Sequence, residues 1–434
     1  MSNWNEKNWK SRFFTIWGGQ AFSLFGSHLV QFALVWWLTQ KTGSATILAT
    51  ASLVGFLPQV VLGPIVGTLV DRSKRRWIMV GADSLIALTT LGLVYLFAIQ
   101  AVEVWMIYVV LFLRSLGGGF HHPAMTASTS LMVPKTHLTR IQGLNQMLMG
   151  AMGIISAPLG ALLLEMTSTQ AVLMIDVITA IIAVLPLLFI AIPEPERTNG
   201  KITAGQPAEK PSFWEDFKAG FAYVWAWPGL VMILLLAMLI NFLLNPAGSL
   251  MPLLVKDHFG GGALQLGWME SMFGVGMLVG GLVLGAWGGF KKRIITSMVG
   301  LIGLGLFFAT MGLLPASFFK LALVISFLAA FMNPIVNGPI MAIIQATVAP
   351  EMQGRVFTLI GSLASAMAPL GLIIAGPVAD ALGVQSWYII GGITCAVVGV
   401  SGFFIPVVMN IEENRKAEVE REAAQEPGAV VPVV

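Results

Sequence analysis

Twelve long apolar stretches follow one another along the chain, separated by short polar segments. They cover residues 13–39, 45–70, 78–100, 104–125, 139–164, 170–192, 229–255, 263–289, 294–314, 319–346, 355–379 and 385–409. Each is long enough for the roughly 20 residues that a helix needs to cross a bilayer core. Apolar and polar side chains do not alternate, as they would in the strands of a membrane barrel. The sequence therefore predicts an all-α membrane protein with twelve transmembrane helices.

Composition excludes a soluble domain. The chain is 56% hydrophobic and 10% charged, whereas soluble domains carry about 25% charged residues. The first stretch follows Lys7, Lys10 and Arg12, is too long for the core of a signal peptide and lacks a small-residue cleavage site, so we expect it to remain as helix 1. Cys395 is the single cysteine, so no disulfide can form within the chain.

Basic residues are concentrated on one side of the predicted membrane. With twelve spans both termini lie on the same side, and 20 of the 24 Lys and Arg residues fall there. The opposite side carries Lys41, Lys256 and Lys320, and Arg114 lies within a span. We name these the base-rich side and the base-poor side. The positive-inside rule predicts that the base-rich side, with both termini, is cytoplasmic.

Short sequence motifs recur in the two halves of the chain at nearly constant spacing. Ala-Pro-Leu-Gly at 157–160 recurs at 368–371, and Gln-Gly at 142–143 recurs at 353–354, both with an offset of 211. This repeat predicts two six-helix copies in parallel orientation. Many transporters are built in this way, with the substrate site between the halves near the bilayer midplane.

The repeat divides the chain into four parts. We predict an N-terminal six-helix half (1–192), a C-terminal six-helix half (229–409) and a polar linker (193–228) between them. A capping box at 212–215 predicts an amphipathic helix in the linker, lying at the membrane interface. The tail (410–434) is charged and then rich in Pro and Val, and we predict that it is disordered.

The polar loop after the second stretch carries glycine, leucine, acid and bases in a fixed order, from Gly67 to Arg76. It resembles the signature loop of the major facilitator superfamily, G-x-L-x-D-R-x-G-R-K, with Lys74 where the family usually has glycine. The resemblance implies twelve helices, solute transport and a latch of the outward-facing state. The predicted latch residues are Gly67, Asp71, Arg72, Arg75 and Asp83, the last as an ion partner of Arg72, Arg75 or Arg76.

Two alternatives bear on this loop. It could be a plain cytoplasmic basic loop without a latch function. The second copy, residues 285–293, has Gly289 where the first has its acid, so any latch is expected to differ between the two halves.

Charged residues inside the predicted spans are candidates for proton coupling, because burying a charge there is costly unless it is paired or hydrated. Arg114 and Gly118 resemble the helix-4 motif R-x-x-x-G, which implies a role in proton transfer. Asp176 and Glu270 each lie about seven residues, or roughly 10 Å, inside a span, and we predict them equally as proton carriers or cation-attracting groups. The alternative for Arg114 is a structural ion pair.

The fifth stretch carries Gly153, Ala157, Pro158 and Gly160. This segment resembles the antiporter motif g-x-x-x-G-P-x-x-G-G, with Ala157 in place of a glycine and a different final pair. Proline frees a backbone carbonyl and small residues allow a bend between helices. The partial match favours export over import.

Polar side chains within the spans are expected to avoid lipid and to line a central cavity, because lipid-facing amides are costly. The candidate cavity residues are His28, Gln31, Asn145, Asn241, Asn245 and Asn337. A proton role is also open for His28 and for the pair His121-His122. Their spacing does not predict a metal site.

Longer words in both halves extend the resemblance to the macrolide-efflux (Mef-type) branch of drug–proton antiporters. They include Lys-Thr-Gly-Ser-Ala at 41–45, Ala-Ser-Leu-Val-Gly-Phe-Leu-Pro at 51–58, Gly-Ala-Asp at 81–83, Ile-Asp-Val at 175–177 and Gly-Arg-Val-Phe at 354–357. The resemblance implies proton-driven export of macrolides or other amphiphilic drugs from the cytoplasm, through a bacterial cytoplasmic (inner) membrane.

The expected partners are a small amphiphilic substrate, protons and the lipid bilayer, with no nucleic acid, cofactor or metal, and the protein is expected to be a monomeric carrier and not an enzyme. One alternative is export of a siderophore or metabolite. A remote alternative is a membrane-embedded enzyme or a sensor. An enzyme needs a cluster of reactive groups and a sensor needs an output domain, and the sequence indicates neither. It also has no G-x-x-x-x-G-K-[ST] motif for ATP.

Overall fold

The computed structural model describes residues 8–193 and 213–413, and within them leaves out the side chains at 59, 60, 63–65, 67, 68, 71, 72, 135, 213–217, 350 and 351. The described helices are α1 Trp9–Thr42, α2 Ala45–Arg72, α3 Arg75–Ala98, α4 Val104–Met132, α5 Leu138–Met166, α6 Thr169–Phe189, α7 Phe213–Ala226, α8 Pro228–Leu253, α9 Ala263–Trp287, α10 Arg293–Leu313, α11 Phe319–Thr347, α12 Pro350–Leu382, α13 Val384–Gly402 and α14 Pro406–Met409. A π-helical turn, Leu254–His258, extends α8.

The all-α membrane fold is confirmed. Within the described residues, eleven helices are long and apolar enough to cross a membrane. The remaining predicted span is α2, a helix of 28 residues whose fully described apolar part is Ala45–Pro58. The last predicted stretch, 385–409, is shorter than expected. Helix α13 ends at Gly402, and a turn separates it from α14, which begins at Pro406 because proline suits the first turn of a helix.

The two sets of six helices pack in the same pattern. In the first set α1 packs on α5 and α6, α4 packs on α2 and α3, and α3 packs on α6. In the second set α8 packs on α12 and α13, α11 packs on α9 and α10, and α10 packs on α13. These pairs correspond when α1–α6 are superposed in order on α8–α13. The packing therefore repeats in the way that the sequence words repeat.

Two helix pairs make the main contacts between the sets, α5 with α9 and α2 with α12. A methyl group on Gly267 of α9 would lie 2.9 Å from the Cα of Pro158, and one on Gly376 of α12 would lie 2.8 Å from the Cα of Thr46. Ser271 of α9 donates a 2.6 Å hydrogen bond to the carbonyl of Ile154. All of these contacts lie in the middle of the helices or toward the base-poor side.

The glycines of these helices toward the base-rich side have no close neighbours. Methyl groups on Gly143 and Gly150 of α5, or on Gly281 and Gly285 of α9, would meet no described atom within 4 Å. The same holds for Gly361 of α12. The close contacts between the two sets described above therefore lie in the middle of the helices and on the base-poor side.

The linker and the start of the tail rest against the second set. Helix α7 packs on α12, where a methyl group on Gly220 would lie 3.2 Å from the carbonyl oxygen of Arg355. The predicted linker helix is thus present. Its residue Ser212, proposed as the cap, lies outside the described residues.

The first residues of the predicted tail, 410–413, contact the start of α10. Arg293 lies 2.9 Å from Glu412, and Lys292 lies 3.0 Å from Glu413 and donates a 3.3 Å hydrogen bond to Asn410. The disorder of 410–434 stays a prediction. Residues 414–434 lie outside the described part.

Candidate functional site

A buried ion pair joins α4 and α6 in the first set of helices. The guanidinium of Arg114 contacts the Oδ2 of Asp176, and their side chains are 8% and 0% exposed. Arg114 also donates to the hydroxyl of Thr90, and this hydroxyl lies 2.9 Å from the same carboxylate oxygen. Ser27 donates to the Oδ1 of Asp176 at 2.9 Å. Four helices therefore meet at one charged pair, which we name the coupling layer (Ser27, Thr90, Arg114 and Asp176).

A glycine makes this close approach possible. A methyl group on Gly26 would lie 2.3 Å from the Oγ1 of Thr179 and 3.0 Å from the Cα of Asp176. Real Cβ atoms do not come that close, so α1 and α6 can pack at this distance only with glycine at this position. Sequence reasoning identified both charged residues and missed the glycine.

A second polar cluster lies toward the base-rich side of the first. Gln20 donates to the Oδ2 of Asp83 at 3.0 Å, and the Nε2 of His121 lies 3.6 Å from the Oδ1 of Asp83. Gln20 also lies 3.5 Å from the carbonyl of Ala183. We name Gln20, Asp83 and His121 the acceptor layer.

The residues of the two layers are separated by the same interval on three helices, α1, α3 and α4. Gln20 and Ser27, Asp83 and Thr90, and Arg114 and His121 are each seven residues apart. Seven residues make about two helical turns, or roughly 10.5 Å. This spacing is the sequence signal that could have revealed both layers, since three helices carry polar side chains at the same interval.

A cavity of about 460 Å³ adjoins both layers. It is lined by side chains of α1 to α4 and, from the second set, by Ser249 of α8. Gln20, Asp83, Arg114 and His121 lie in its polar wall, and its apolar wall is formed by Leu24, Ala51, Phe56, Ile86 and Leu111. A drug-sized ligand occupies a pocket of roughly 300–1,000 Å³. The volume and the mixed wall fit part or all of an amphiphilic molecule.

The predicted cavity residues divide into two groups. His28 and Gln31 line the cavity. The four asparagines are not among the described residues that line it. Asn145 accepts a 2.7 Å hydrogen bond from Trp17, Asn245 donates to Asn241 at 2.9 Å, and Asn337 donates to Asn333 at 3.1 Å.

Glu270 lies on α9, a helix that contributes no residue to the coupling layer and packs against α5. It is half-buried, and no hydrogen bond or ion pair is recorded for it within the described residues. The neighbouring Ser271 bonds to Ile154 of α5. Glu270 therefore belongs to the contact between the two sets and not to the coupling layer.

The predicted bend of α5 forms part of the same contact. Helix α5 continues through Pro158 without a break. Methyl groups on Gly267 and Gly274 of α9 would lie 3.0 Å from the carbonyl oxygens of Ala157 and Gly153, and one on Gly160 would lie 3.1 Å from the ring of Phe32 in α1. The small residues of the motif thus let α9 pack closely on one face of α5 and α1 on the other.

Two of the predicted latch residues, Arg75 and Asp83, have described side chains. For Gly67, Asp71 and Arg72 the structure describes only the backbone, as part of α2, which ends at Arg72. Arg75 donates a 2.8 Å hydrogen bond to the carbonyl of Ala127 in α4. Asp83 has neighbours other than the predicted bases, because its carboxylate faces Gln20 and His121.

Arg76 contacts groups near the end of the helix and not Asp83, for a geometric reason. Arg76 donates to the carbonyl of Leu188 at the end of α6 and lies over the ring of Trp77. Asp83 is seven residues further along α3, so it lies about 10 Å deeper in the membrane. Arg76 lies in the first turn of α3, so it bonds to groups near its own depth.

Comparison with known proteins agrees with this architecture. The family model described as Major Facilitator Superfamily matches residues 16–253 and 233–432. The chain belongs to this superfamily. Among solved superfamily structures, a bacterial homologue of the human lysosomal transporter Spinster, in an inward-facing and unoccupied conformation, matches with a TM-score of 0.67 at 14% identity, covering 95% of this chain and 97% of that one. A mutant form of the nucleoside transporter NupG matches with a TM-score of 0.66 at 15% identity, covering 91% and 98%.

Relatives by sequence place the chain more narrowly within the superfamily. It is 38% identical over 385 residues to Macrolide efflux protein A of Streptococcus pyogenes, covering 89% of this chain and 93% of the relative. It is 27% identical over 403 residues to the multidrug efflux pump Tap of Mycolicibacterium fortuitum, covering 89% and 94%. The predicted resemblance to the macrolide-efflux branch of the major facilitator superfamily is confirmed.

Proposed function

We propose that this protein is a secondary active exporter that moves macrolide-type or other amphiphilic drugs out of the bacterial cytoplasm in exchange for protons. The observation that carries the proposal is the similarity to Macrolide efflux protein A over 89% of the chain, together with a cavity of mixed polarity in the first set of helices, bordered by Ser249 of the second, and close contacts between the sets on one side. A carrier needs such a cavity to face one side of the membrane at a time.

Alternating access is supported by charges that join the two sets on the base-poor side. The carboxylate of Asp380 at the end of α12 accepts hydrogen bonds from the backbone N–H groups of Ala45 and Thr46, at 2.6 and 3.0 Å, and from the hydroxyl of Ser44 at 3.0 Å. Lys256 donates to the carbonyl of Thr39 at the end of α1, at 2.9 Å. We name these contacts the outer gate.

Both gate charges match the helix ends that they meet. An acid at a helix N-terminus and a base at a helix C-terminus are each favourable, because the helix dipole places partial positive and negative charge there. With the base-rich side in the cytoplasm, the outer gate closes the external side, and the cavity is open toward the cell interior for drug loading. The latch residues Gly67, Asp71, Arg72 and Arg75 would then act at the opposite end, when the carrier faces outward.

Proton coupling is assigned first to Asp176 with Arg114. A proton on Asp176 would leave the guanidinium of Arg114 buried without its counter-charge, and breaking a buried pair costs about 3–5 kcal/mol. The helices that hold the layer would have to rearrange to rehydrate or re-pair the arginine. Proton uptake and helix movement are thereby linked. Glu270 is the second acid, since it lies where α9 slides against α5.

The alternatives are less well supported. An anionic siderophore needs unbalanced positive charge in the cavity, whereas the charge of Arg114 is already balanced by Asp176. A carrier is also favoured over an enzyme, because the family relatives named above are transporters or efflux proteins.

The test is energised efflux of a radiolabelled 14-membered macrolide from a pump-deleted bacterial host. We expect efflux from cells expressing the protein to stop on addition of a protonophore, and to be lost in Asp176→Asn or in Glu270→Gln. Glu103→Gln, which removes an exposed acid of the loop before α4, is the matched control and should export normally. Absence of macrolide efflux from membrane-inserted wild-type protein would refute the drug assignment. Efflux that survives both the protonophore and the two acid variants would refute proton coupling.

A further inference from the structure

The acceptor layer is an unusual feature of the cavity wall because its polar atoms are incompletely paired. Gln20 is only 7% exposed, yet its Oε1 has no hydrogen-bond partner among the described residues. The buried Nε2 of His121 also lacks a hydrogen bond there, since its 3.6 Å contact with Asp83 is longer than one. Buried polar atoms are normally satisfied, and leaving one unpaired is costly. Both side chains line the cavity, so a bound ligand is one way in which these atoms gain a partner.

The charge of this wall selects the kind of ligand. Two fixed charges, Arg114 and Asp83, line the cavity among the described residues. Arg114 is bound to Asp176, which lies behind the wall with no exposed surface. The carboxylate of Asp83 has no such counter-charge in its layer, only the amide of Gln20 and the ring of His121. The unbalanced charge facing the cavity is therefore negative.

The shape of the site specifies the rest of the ligand. The acceptor oxygens of Asp83 and Gln20 belong to α3 and α1, whose side chains meet through the hydrogen bond between them, and the apolar side chains of Leu24, Phe56 and Ile86 share the cavity with them. A protonated amine can lie between the two acceptors and donate to at least one, while the apolar body of the molecule contacts the remaining wall. An anionic or neutral head group would leave the carboxylate desolvated and unpaired, which is unfavourable.

We propose that Asp83, Gln20 and His121 form the binding subsite for the ammonium group of a cationic amphiphile. Asp83 provides the counter-charge, Gln20 provides an acceptor from its Oε1, and the ring of His121 on α4 lies 3.6 Å from the carboxylate and closes the subsite on that side. The inference rests on the proposed export function and adds to it the chemical class of the cargo, an amphiphile with a protonated tertiary amine. It also gives Asp83 a role in ligand binding in place of the latch role expected from the sequence.

Equilibrium binding to purified protein in detergent, without a proton gradient, tests this subsite separately from transport. The probes are a 14-membered macrolide with a tertiary amino sugar and the N-oxide of the same macrolide, which has nearly the same shape but is uncharged at neutral pH. Hydrogen bonds to charged groups contribute enough free energy to change affinity by about tenfold or more. We expect wild-type protein to prefer the amine by at least that factor.

The variants locate the origin of the preference. Asp83→Asn should remove most of it by weakening amine binding alone, and Asp83→Glu should retain it because the charge remains. Gln20→Met, which lacks the acceptor oxygen, should reduce the preference by about threefold, and it remains informative if Asp83→Asn fails to fold. Glu103→Gln, an exposed acid away from the cavity, is the matched control.

Two results would overturn the proposal. They are equal wild-type affinity for the amine and the N-oxide, and equal weakening of both probes by Asp83→Asn. If neither macrolide binds, chlorpromazine, a smaller tertiary-amine amphiphile, is the deciding probe. Binding that depends on Asp83 would retain the ammonium subsite while removing the macrolide from the proposed function. Absence of binding, or binding independent of Asp83, would refute the subsite.

Discussion

Removing the carboxylate of Asp380 should shift the carrier away from the state described here. This carboxylate accepts three hydrogen bonds from residues 44–46, on the opposite set of helices. Hydrogen bonds to a charged group contribute about 1.5–3 kcal/mol when buried, and a charge at a helix terminus contributes about 0.3–1 kcal/mol at the surface. Asp380 is exposed, so solvent reduces these values, and we expect a loss of about 1–2 kcal/mol for Asp380→Ala. That loss corresponds to a change of roughly 5–30-fold in the ratio of the two states.

Distances between the two sets on the base-poor side report this ratio directly. Spin labels attached through Ala101→Cys and Ser317→Cys, in a background with Cys395→Ser, would follow the loops before α4 and α11. We expect Asp380→Ala to populate a longer distance that is rare in the wild type, and Asp380→Asn to have a smaller effect because its oxygen still accepts hydrogen bonds. Glu103→Gln removes another exposed acid on the same side and is the matched control. A distance distribution for Asp380→Ala identical to that of the control would refute the assignment of Asp380 to the gate.

Three further predictions concern the remaining contacts. In a double-mutant cycle, Arg114→Gln and Asp176→Asn should each lower thermal stability by about 3–5 kcal/mol, and the double variant by clearly less than their sum, because the pair is buried; additive losses would contradict this. Gly26→Ala should destabilise the protein by about 1–3 kcal/mol through overpacking, whereas Gly18→Ala, with no described atom within 4 Å of the new methyl group, should be close to neutral in the same thermal assay. Lys256→Met should increase the population of the longer label distance in the same direction as Asp380→Ala, by about 0.3–1 kcal/mol; a shift toward the shorter distance would contradict the proposed gate.

Hydropathy was sufficient to predict the helices, because each span must satisfy its own backbone hydrogen bonds and therefore extends over a continuous apolar stretch. Most predicted bounds lie within a few residues of the observed ones. The two largest errors are seven residues each. Helix α4 runs to Met132, past the predicted end at 125, and α13 ends at Gly402, before the predicted end at 409, where apolar side chains continue but the chain turns before Pro406. Hydropathy does not detect that turn, since the residues on both sides of it are equally apolar.

Contacts between distant parts of the chain were the harder problem. Arg114 and Asp176 could be identified singly, because a charge in a span is rare, but their pairing depends on how α4 and α6 pack. Asp380 and Ser44 are separated by 336 residues, and no pattern in the sequence indicates that they meet. Asp83 was expected to pair with Arg72, Arg75 or Arg76, whereas its described neighbours are Gln20 and His121. Those neighbours lie on other helices, so the sequence around Asp83 does not indicate them.

The two polar layers are built on the same helices, and this bears on how exchange of drug for proton can work. Helix α1 carries Gln20 and Ser27, α3 carries Asp83 and Thr90, and α4 carries Arg114 and His121. A helix that tilts or slides to follow a released arginine must also displace the side chain two turns away, since helices move as stiff units. Loss of the Arg114–Asp176 pair would therefore disturb the acceptor layer without direct contact between proton and drug. Such coupling is reciprocal, so a bound ammonium group that fixes the acceptor layer should oppose protonation of Asp176 until the drug has left.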